Sequence, residues 1–122
     1  MPTPAEPTPP LPSAVPEPAH SVIEVRDAPE RSRYEILVDG AIAGFTDYRP
    51  QEGSLVFDHT VVEEQYAGRG LASTLARGAL DDVRAQRERI VPVCSFIAGW
   101  LVKNPGYDDL VDRDLLARLK AS

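Results

Sequence analysis

A strand, a glycine-bearing turn and a long amphipathic helix follow one another without a break between Leu55 and Arg89. No other feature of the 122-residue chain constrains its fold as strongly. Leu55 to Val62, Leu-Val-Phe-Asp-His-Thr-Val-Val, is a run of β-formers. Glu63 to Gly70 is polar and carries Gly68 and Gly70. From Leu71 to about Arg89, Leu71, Leu75, Ala79 and Val83 recur every four residues, and Ala72, Ala76 and Leu80 widen the stripe. That spacing predicts a helix with one buried face. Ile90 to Cys94 is a short apolar strand. Two strands joined by a helix are expected to be parallel and connected in the right-handed sense.

Upstream of this unit the chain predicts an antiparallel meander. Val22, Ile23 and Val25 form a short apolar run, closed by a polar turn from Asp27 to Ser32. Tyr34 to Val38 and Ala41 to Tyr48 flank Asp39-Gly40, a dipeptide suited to the positive φ angles of a type I′ hairpin turn. Pro50 to Ser54 reads as a second turn. Downstream, Phe96 to Lys103 reads as a helix stopped by Asn104-Pro105-Gly106, and Asp112 to Lys120 as one more short helix. The fold class is α+β: a mixed, mostly antiparallel sheet with one embedded βαβ unit.

Eight of the 12 prolines fall between Met1 and Pro18, a stretch with no Lys, Arg or aromatic residue. Residues 1–20 cannot bury enough surface to offset the entropy of ordering them, so a disordered leader is expected there and a folded domain over 21–122. The leader suits a tether or solubilising tail. Its P-x-x-P spacings, such as Pro4 to Pro7, would also suit a proline-binding partner, but at this proline density such spacings arise by chance. No apolar run is long enough for a transmembrane helix, and the start lacks the basic and apolar regions of a signal peptide. A cytoplasmic protein is the expectation. One cysteine excludes an internal disulfide and a Cys₄ or Cys₂His₂ zinc site, and no metal is expected.

The net charge is −6. The leader holds only Glu6 and Glu17 of the acids and none of the bases, so the domain is acidic too. A nucleic-acid binder needs a basic face to displace counterions, and none is expected here. An amine-bearing partner fits better.

The start of the long helix is where chemistry is expected. A helix N-terminus exposes about four unpaired N–H groups and the positive end of the macrodipole. Glycines let an anion approach that backbone without a Cβ in the way, and a diphosphate is the natural ligand. The Gly-Lys-Ser/Thr of a nucleotide-hydrolysing loop is absent. The bland alternative is a plain strand–helix turn with glycines for tight packing. The position of the turn, at strand carboxyl ends within a βαβ unit, favours a ligand.

Gln65-Tyr66-Ala67-Gly68-Arg69-Gly70-Leu71-Ala72 resembles the acetyl-coenzyme A signature of the Gcn5-related N-acetyltransferase superfamily. The likeness continues in Tyr34-Glu35 through Asp39-Gly40, Asp58-His59-Thr60-Val61-Val62, Pro92-Val93-Cys94-Ser95-Phe96 and Asn104-Pro105-Gly106-Tyr107. It covers about residues 22–111 and is similar to the small, single-cysteine YjdJ-type branch. The resemblance implies a minimal acyl-CoA N-acyltransferase fold with splayed parallel strands, and acetyl-CoA as the donor substrate. It implies that backbone amides from Tyr66 to Ala72 hold the pyrophosphate. The pantetheine arm would lie between Leu55–Val62 and Ile90–Cys94, with backbone groups of Val61 and Val62 polarising the thioester. Arg69 suits a phosphate or plain solvent exposure. Lys103 and Asn104 lie near the expected coenzyme tail, and Asn104 equally suits a helix cap. The chain lacks room for the two helices that larger members carry between their first strands. The acceptor side is therefore expected to be open, to a small-molecule or protein amine that the sequence does not name.

His59 and Cys94 are the candidate catalytic residues. Strand alternation puts His59 on the face of Phe57 and Val61, and Asp58 on the other. Adjacent parallel strands could then bring the imidazole and thiol within several ångströms. Each has an ordinary alternative, a half-buried histidine and a small buried hydrophobe. Two routes are open. In direct transfer, His59 deprotonates the amine, and Cys94 or Tyr107 protonates the leaving thiolate. In a covalent route, His59 activates Cys94 to carry the acetyl group. The expected function is a small acetyl-CoA-dependent N-acetyltransferase, and the alternative is a coenzyme A-binding module with little or no turnover.

Overall fold

The computed structural model describes residues 22–121. The expected leader, residues 1–20, and any partner for it lie outside that range. Five strands form one sheet in the order β1-β2-β3-β4-β5: β1 (Ile23–Ala28), β2 (Arg33–Val38), β3 (Ala41–Gln51), β4 (Ser54–Val62) and β5 (Arg89–Pro92). Neighbours are antiparallel from β1 to β4, and β4 and β5 are parallel. Helix α1 (Leu71–Ala85) makes the crossover, α2 (Ser95–Lys103) follows β5, and α3 (Arg113–Ala121) ends the described chain. The architecture is α+β with one βαβ unit in a mixed sheet.

The two hairpins are tight for different reasons. Asp39 and Gly40 have φ of 51° and 87°, and Val38 pairs with Ala41 across them, as a type I′ turn requires. The next turn is shorter than expected. Pro50 and Gln51 stay in β3, paired with Leu55 and Ser54, and only Glu52 and Gly53 turn the chain. The first strand is longer than its apolar run, because Arg26 and Asp27 are held in register opposite Glu35 and Tyr34.

Helix α1 stops at Ala85, four residues short of the expected Arg89. Arg87 takes a left-handed conformation, φ 61°. Its N–H bonds the Arg84 carbonyl at 3.0 Å, and the Glu88 N–H bonds the Val83 carbonyl at 3.1 Å. This is a Schellman cap built without glycine, which is why the sequence does not announce it. Asp112 caps α3 as an Asx residue, its carboxylate accepting the N–H of Asp114 at 3.1 Å.

The face of α1 made by Leu71, Leu75, Ala76, Ala79, Leu80 and Val83 is buried against the sheet. Tyr34, Tyr48 and Phe57 meet it as an aromatic cluster with ring centroids 5.5–6.3 Å apart. The two phenols are anchored: Tyr34 donates to Asp82 and Tyr48 to Asp27, each at 2.6 Å. Burial and these carboxylates push both hydroxyls far above the ordinary tyrosine range. Trp100 and Leu101 of α2 complete the core beside α1. The other face of the sheet carries Glu35, fully buried, whose carboxylate takes hydrogen bonds from Arg31 (2.7 and 2.9 Å) and Arg33 (2.9 Å). No helix among the described residues is long and apolar enough to cross a membrane.

Candidate active site

Pairing between β4 and β5 runs from Ser54↔Arg89 to Phe57↔Pro92 and stops. A last link, the Cys94 N–H on the Phe57 carbonyl at 2.7 Å, closes it. Beyond that point β4 continues to Val62 with only β3 as its partner. The chain after β5 turns away into α2, so the two parallel strands part at their carboxyl ends. The family resemblance implies splayed strands here. Sequence analysis places Cys94 at the end of β5, and that needs correcting: β5 ends at Pro92, and Cys94 is the residue capping the N-terminus of α2.

A β-bulge in β4 decides which side chains reach this opening. Asp47 pairs with His59 and Tyr48 with Phe57, so Asp58 has no partner on β3. An extra residue in one strand reverses the alternation after it. His59 therefore does not share the face of Phe57, as strict alternation predicts. Thr60 takes the inner face instead. Its hydroxyl lies 3.2 Å from the buried Cys94 Sγ and 3.0 Å from the Thr46 hydroxyl. The partner of the thiol is Thr60, not His59.

His59 projects from the opposite face, 74% exposed. One carboxylate holds it at two points. Asp47 Oδ1 accepts the His59 backbone N–H at 2.9 Å, and Asp47 Oδ2 lies 3.3 Å from Nδ1. Asp58 is engaged elsewhere, paired with the Arg49 guanidinium, which holds its carboxyl below the usual range. Val61 is exposed on the face of His59, and Val62 packs against the core.

After β4 the chain makes one 3-10 turn, Glu64–Tyr66. Tyr66 and Ala67 spend their N–H groups in it, on the carbonyls of Glu63 (2.9 Å) and Glu64 (3.0 Å). The expected amide cradle from Tyr66 to Ala72 is therefore narrower at its start. From Gly68 to Ser73 no backbone N–H has an acceptor among the described residues, and the first one used is Thr74, on the Gly70 carbonyl at 3.1 Å. Gly68 and Gly70 have φ of 84° and 74°, a region that L side chains rarely adopt, and a Cβ on either would point into open space. The Arg69 guanidinium stacks 5.5 Å over the Tyr66 ring. Gln65 is exposed at the same turn.

The head of α1 opens into a cavity of about 460 Å³. Gly70, Ala72 and Ser73 line one side, and Phe96, Trp100, Lys103 and Asn104 of α2 and its cap line the other. Lys103 and Asn104 are thus brought together with the glycine turn. Asn104 also caps α2, its amide donating to the Trp100 carbonyl at 2.7 Å. Trp100 is buried in the core and also walls the cavity, with its indole N–H on the Ser73 hydroxyl at 2.8 Å. Leu71 is buried under the turn and contributes only backbone to this site. Tyr107 is not at the opening. Its hydroxyl donates to Asp81 at 2.7 Å, ten residues along α1 from Leu71, or about 15 Å of helix rise. Thr46 and Asp47 carry no motif, Thr60 lies in a family-like segment but without an assigned role, and the part each plays emerges only once the bulge is known.

The sequence model of the GCN5-related N-acetyl-transferase family matches residues 33–110, from β2 to the turn after α2. No curated protein sequence matches the chain. Among solved structures, the solution NMR structure of a GCN5-like candidate N-acetyltransferase from Staphylococcus aureus is similar, with a TM-score of 0.57 and 22% identity. The match covers 73% of this chain and 87% of that one, and at this identity it speaks for the fold.

Proposed function

Because the chain belongs to the GCN5-related N-acetyltransferase family, we propose that it is a small acetyl-CoA-dependent N-acetyltransferase, of the single-cysteine YjdJ-type kind. The observation that carries this reading is the run of unpaired amides from Gly68 to Ser73 opening into the cavity between α1 and α2. Such a run fits a diphosphate, which is the anion in the middle of coenzyme A. Lys103 adds a cation on the far wall, beside the Asn104 side chain. The parting of β4 and β5 beyond Phe57 leaves room for an extended arm beside Thr60 and Cys94.

Acetyl-CoA supplies an activated acyl thioester, and the chain must supply a free amine, a dipole for the oxyanion and a proton for the leaving thiolate. His59 faces away from Cys94, on the side from which an acceptor can approach a donor threaded from the α1 side. Its imidazole takes the amine proton as nitrogen attacks the thioester carbonyl and the carbon–sulfur bond breaks. The thiol of Cys94 sits at the N-terminus of α2, beside the Thr60 hydroxyl, in position to return a proton to the departing sulfur. With Thr60 as the partner of that thiol, the geometry favours direct transfer over an acetyl-cysteine route that needs a His59–Cys94 contact. β1 passes to β2 through a single 3-10 turn, Pro29–Arg31, so among the described residues no helix between these strands crowds the acceptor side. This openness also suits a binding module.

Calorimetry with acetyl-CoA, followed by turnover with a panel of small amines and amine-terminated peptides, tests the reading. Saturable heat and release of coenzyme A with at least one amine are expected. Heat without release under any acceptor leaves the module reading, and no heat at millimolar ligand defeats both.

A further inference from the structure

We propose that Asp47 is a positioning residue that sets the tautomer of His59, leaving Nε2 as the open base toward the acceptor. The inference rests on the transfer reading above, in which His59 takes the amine proton. The bulge at Asp58 sets Asp47 directly across from His59, and the two carboxylate oxygens are divided between the backbone N–H and ring Nδ1. A carboxylate can only accept, so the ring must place its hydrogen on Nδ1, and the lone pair then lies on Nε2. Once Nε2 is protonated, the same carboxylate stands beside the imidazolium. Among the other charges nearby, Asp58 also feels the charge of His59, but the hydrogen bonds of these groups go elsewhere. Asp58 is paired with Arg49, and Arg33, the partner of Asp47 across β2, donates to Glu35 and stacks on Phe45. Residues 90–93 of the neighbouring strand and its exit carry no charge.

Asp47→Asn separates this role from a merely structural one. The asparagine carbonyl can keep the His59 N–H, which turns its NH₂ group toward Nδ1. An NH₂ group donates, so the ring must offer a lone pair there and carry its hydrogen on Nε2. Long-range proton–nitrogen NMR of the histidine-labelled full chain at pH 8 reads the tautomer directly, with His59→Gln assigning the signal against His20. The expected result is Nδ1–H in the natural protein and Nε2–H in the variant. With it, kcat falls about tenfold or more while the KM for acetyl-CoA is unchanged. Asp47→Ser, which retains one oxygen for the N–H, replaces the asparagine if that variant does not fold. A natural protein in the Nε2–H form, an unchanged tautomer in the variant, or an unchanged kcat overturns the proposal. Failure of the transfer reading shows separately, as a natural protein with no turnover, and the NMR measurement needs no substrate to decide.

Discussion

Replacing Glu35 with glutamine should remove most of the acid sensitivity that this fold owes to one residue. Glu35 is fully buried on the sheet face that also bears His59, and its carboxylate is clamped by Arg31 and Arg33, with Arg26 at 3.6 Å. The hydrogen bonds from Arg31 are the largest cause of its lowered pKa, about 2 against an ordinary 4.5, and Arg33 adds to them against the cost of burial. The folded pKa lies below the unfolded one. The clamp therefore stabilises fully above the unfolded value and is lost as pH falls toward the folded one. A difference of that size corresponds to about 3 kcal/mol, with roughly three-fifths gone by pH 3. That figure is a ceiling, since Arg26 and Arg31 remain 48% and 42% exposed and are screened by salt. Urea unfolding of the natural chain and Glu35→Gln at half-unit steps from pH 6 to pH 2 isolates this contribution, because the remaining carboxylates are common to both. The stability gap between the two should narrow by about 3 kcal/mol at low salt and by less in 1 M salt. A gap that stays constant across the range would refute the assignment of the buried anion to Glu35.

Gly70→Ala should cost about 1–2 kcal/mol of stability from its positive φ, because the added Cβ meets no atom, yet weaken acetyl-CoA binding by about tenfold or more. Calorimetry and thermal melts separate the two, and unchanged affinity would show that no anion sits on those amides. Cys94→Ala should slow single-turnover acetyl transfer by about a hundredfold or more, because the Cys94 thiol protonates the leaving sulfur, and an acetyl group trapped on Cys94 of the natural chain by rapid-quench mass spectrometry would restore the covalent route. Arg87→Gly should raise stability by about 1 kcal/mol, since glycine relieves the left-handed cap of α1; a lower melting temperature would count against that account. Gly44→Ala should destabilise strongly, because its Cβ would collide with the Val61 carbonyl oxygen on the adjoining strand, and a melting temperature like that of the natural chain would contradict the packing.

Periodicity and turn chemistry were enough to foresee the meander, the crossover and the amide-rich head of α1. These depend on interactions between near neighbours in sequence: Asp39-Gly40 needs only its own φ angles, and the Leu71–Val83 stripe only a repeat near 3.6. The cap at Arg87 leaves no mark in the sequence because its hydrogen bonds close a turn that glycine usually makes. The geometry around His59 and Cys94 lay further out of reach. One unpaired residue, Asp58, reverses the sides on which His59 and Thr60 stand, and nothing in Phe-Asp-His-Thr marks it as extra. The bulge exists only in relation to Asp47 and Tyr48 on a separate strand. By itself, then, the sequence determined the elements, their order and the run of unpaired amides at the head of α1. Tertiary pairing alone decided which side chain meets the thiol and which carboxylate holds the imidazole, because register is a property of two strands together and of neither one alone.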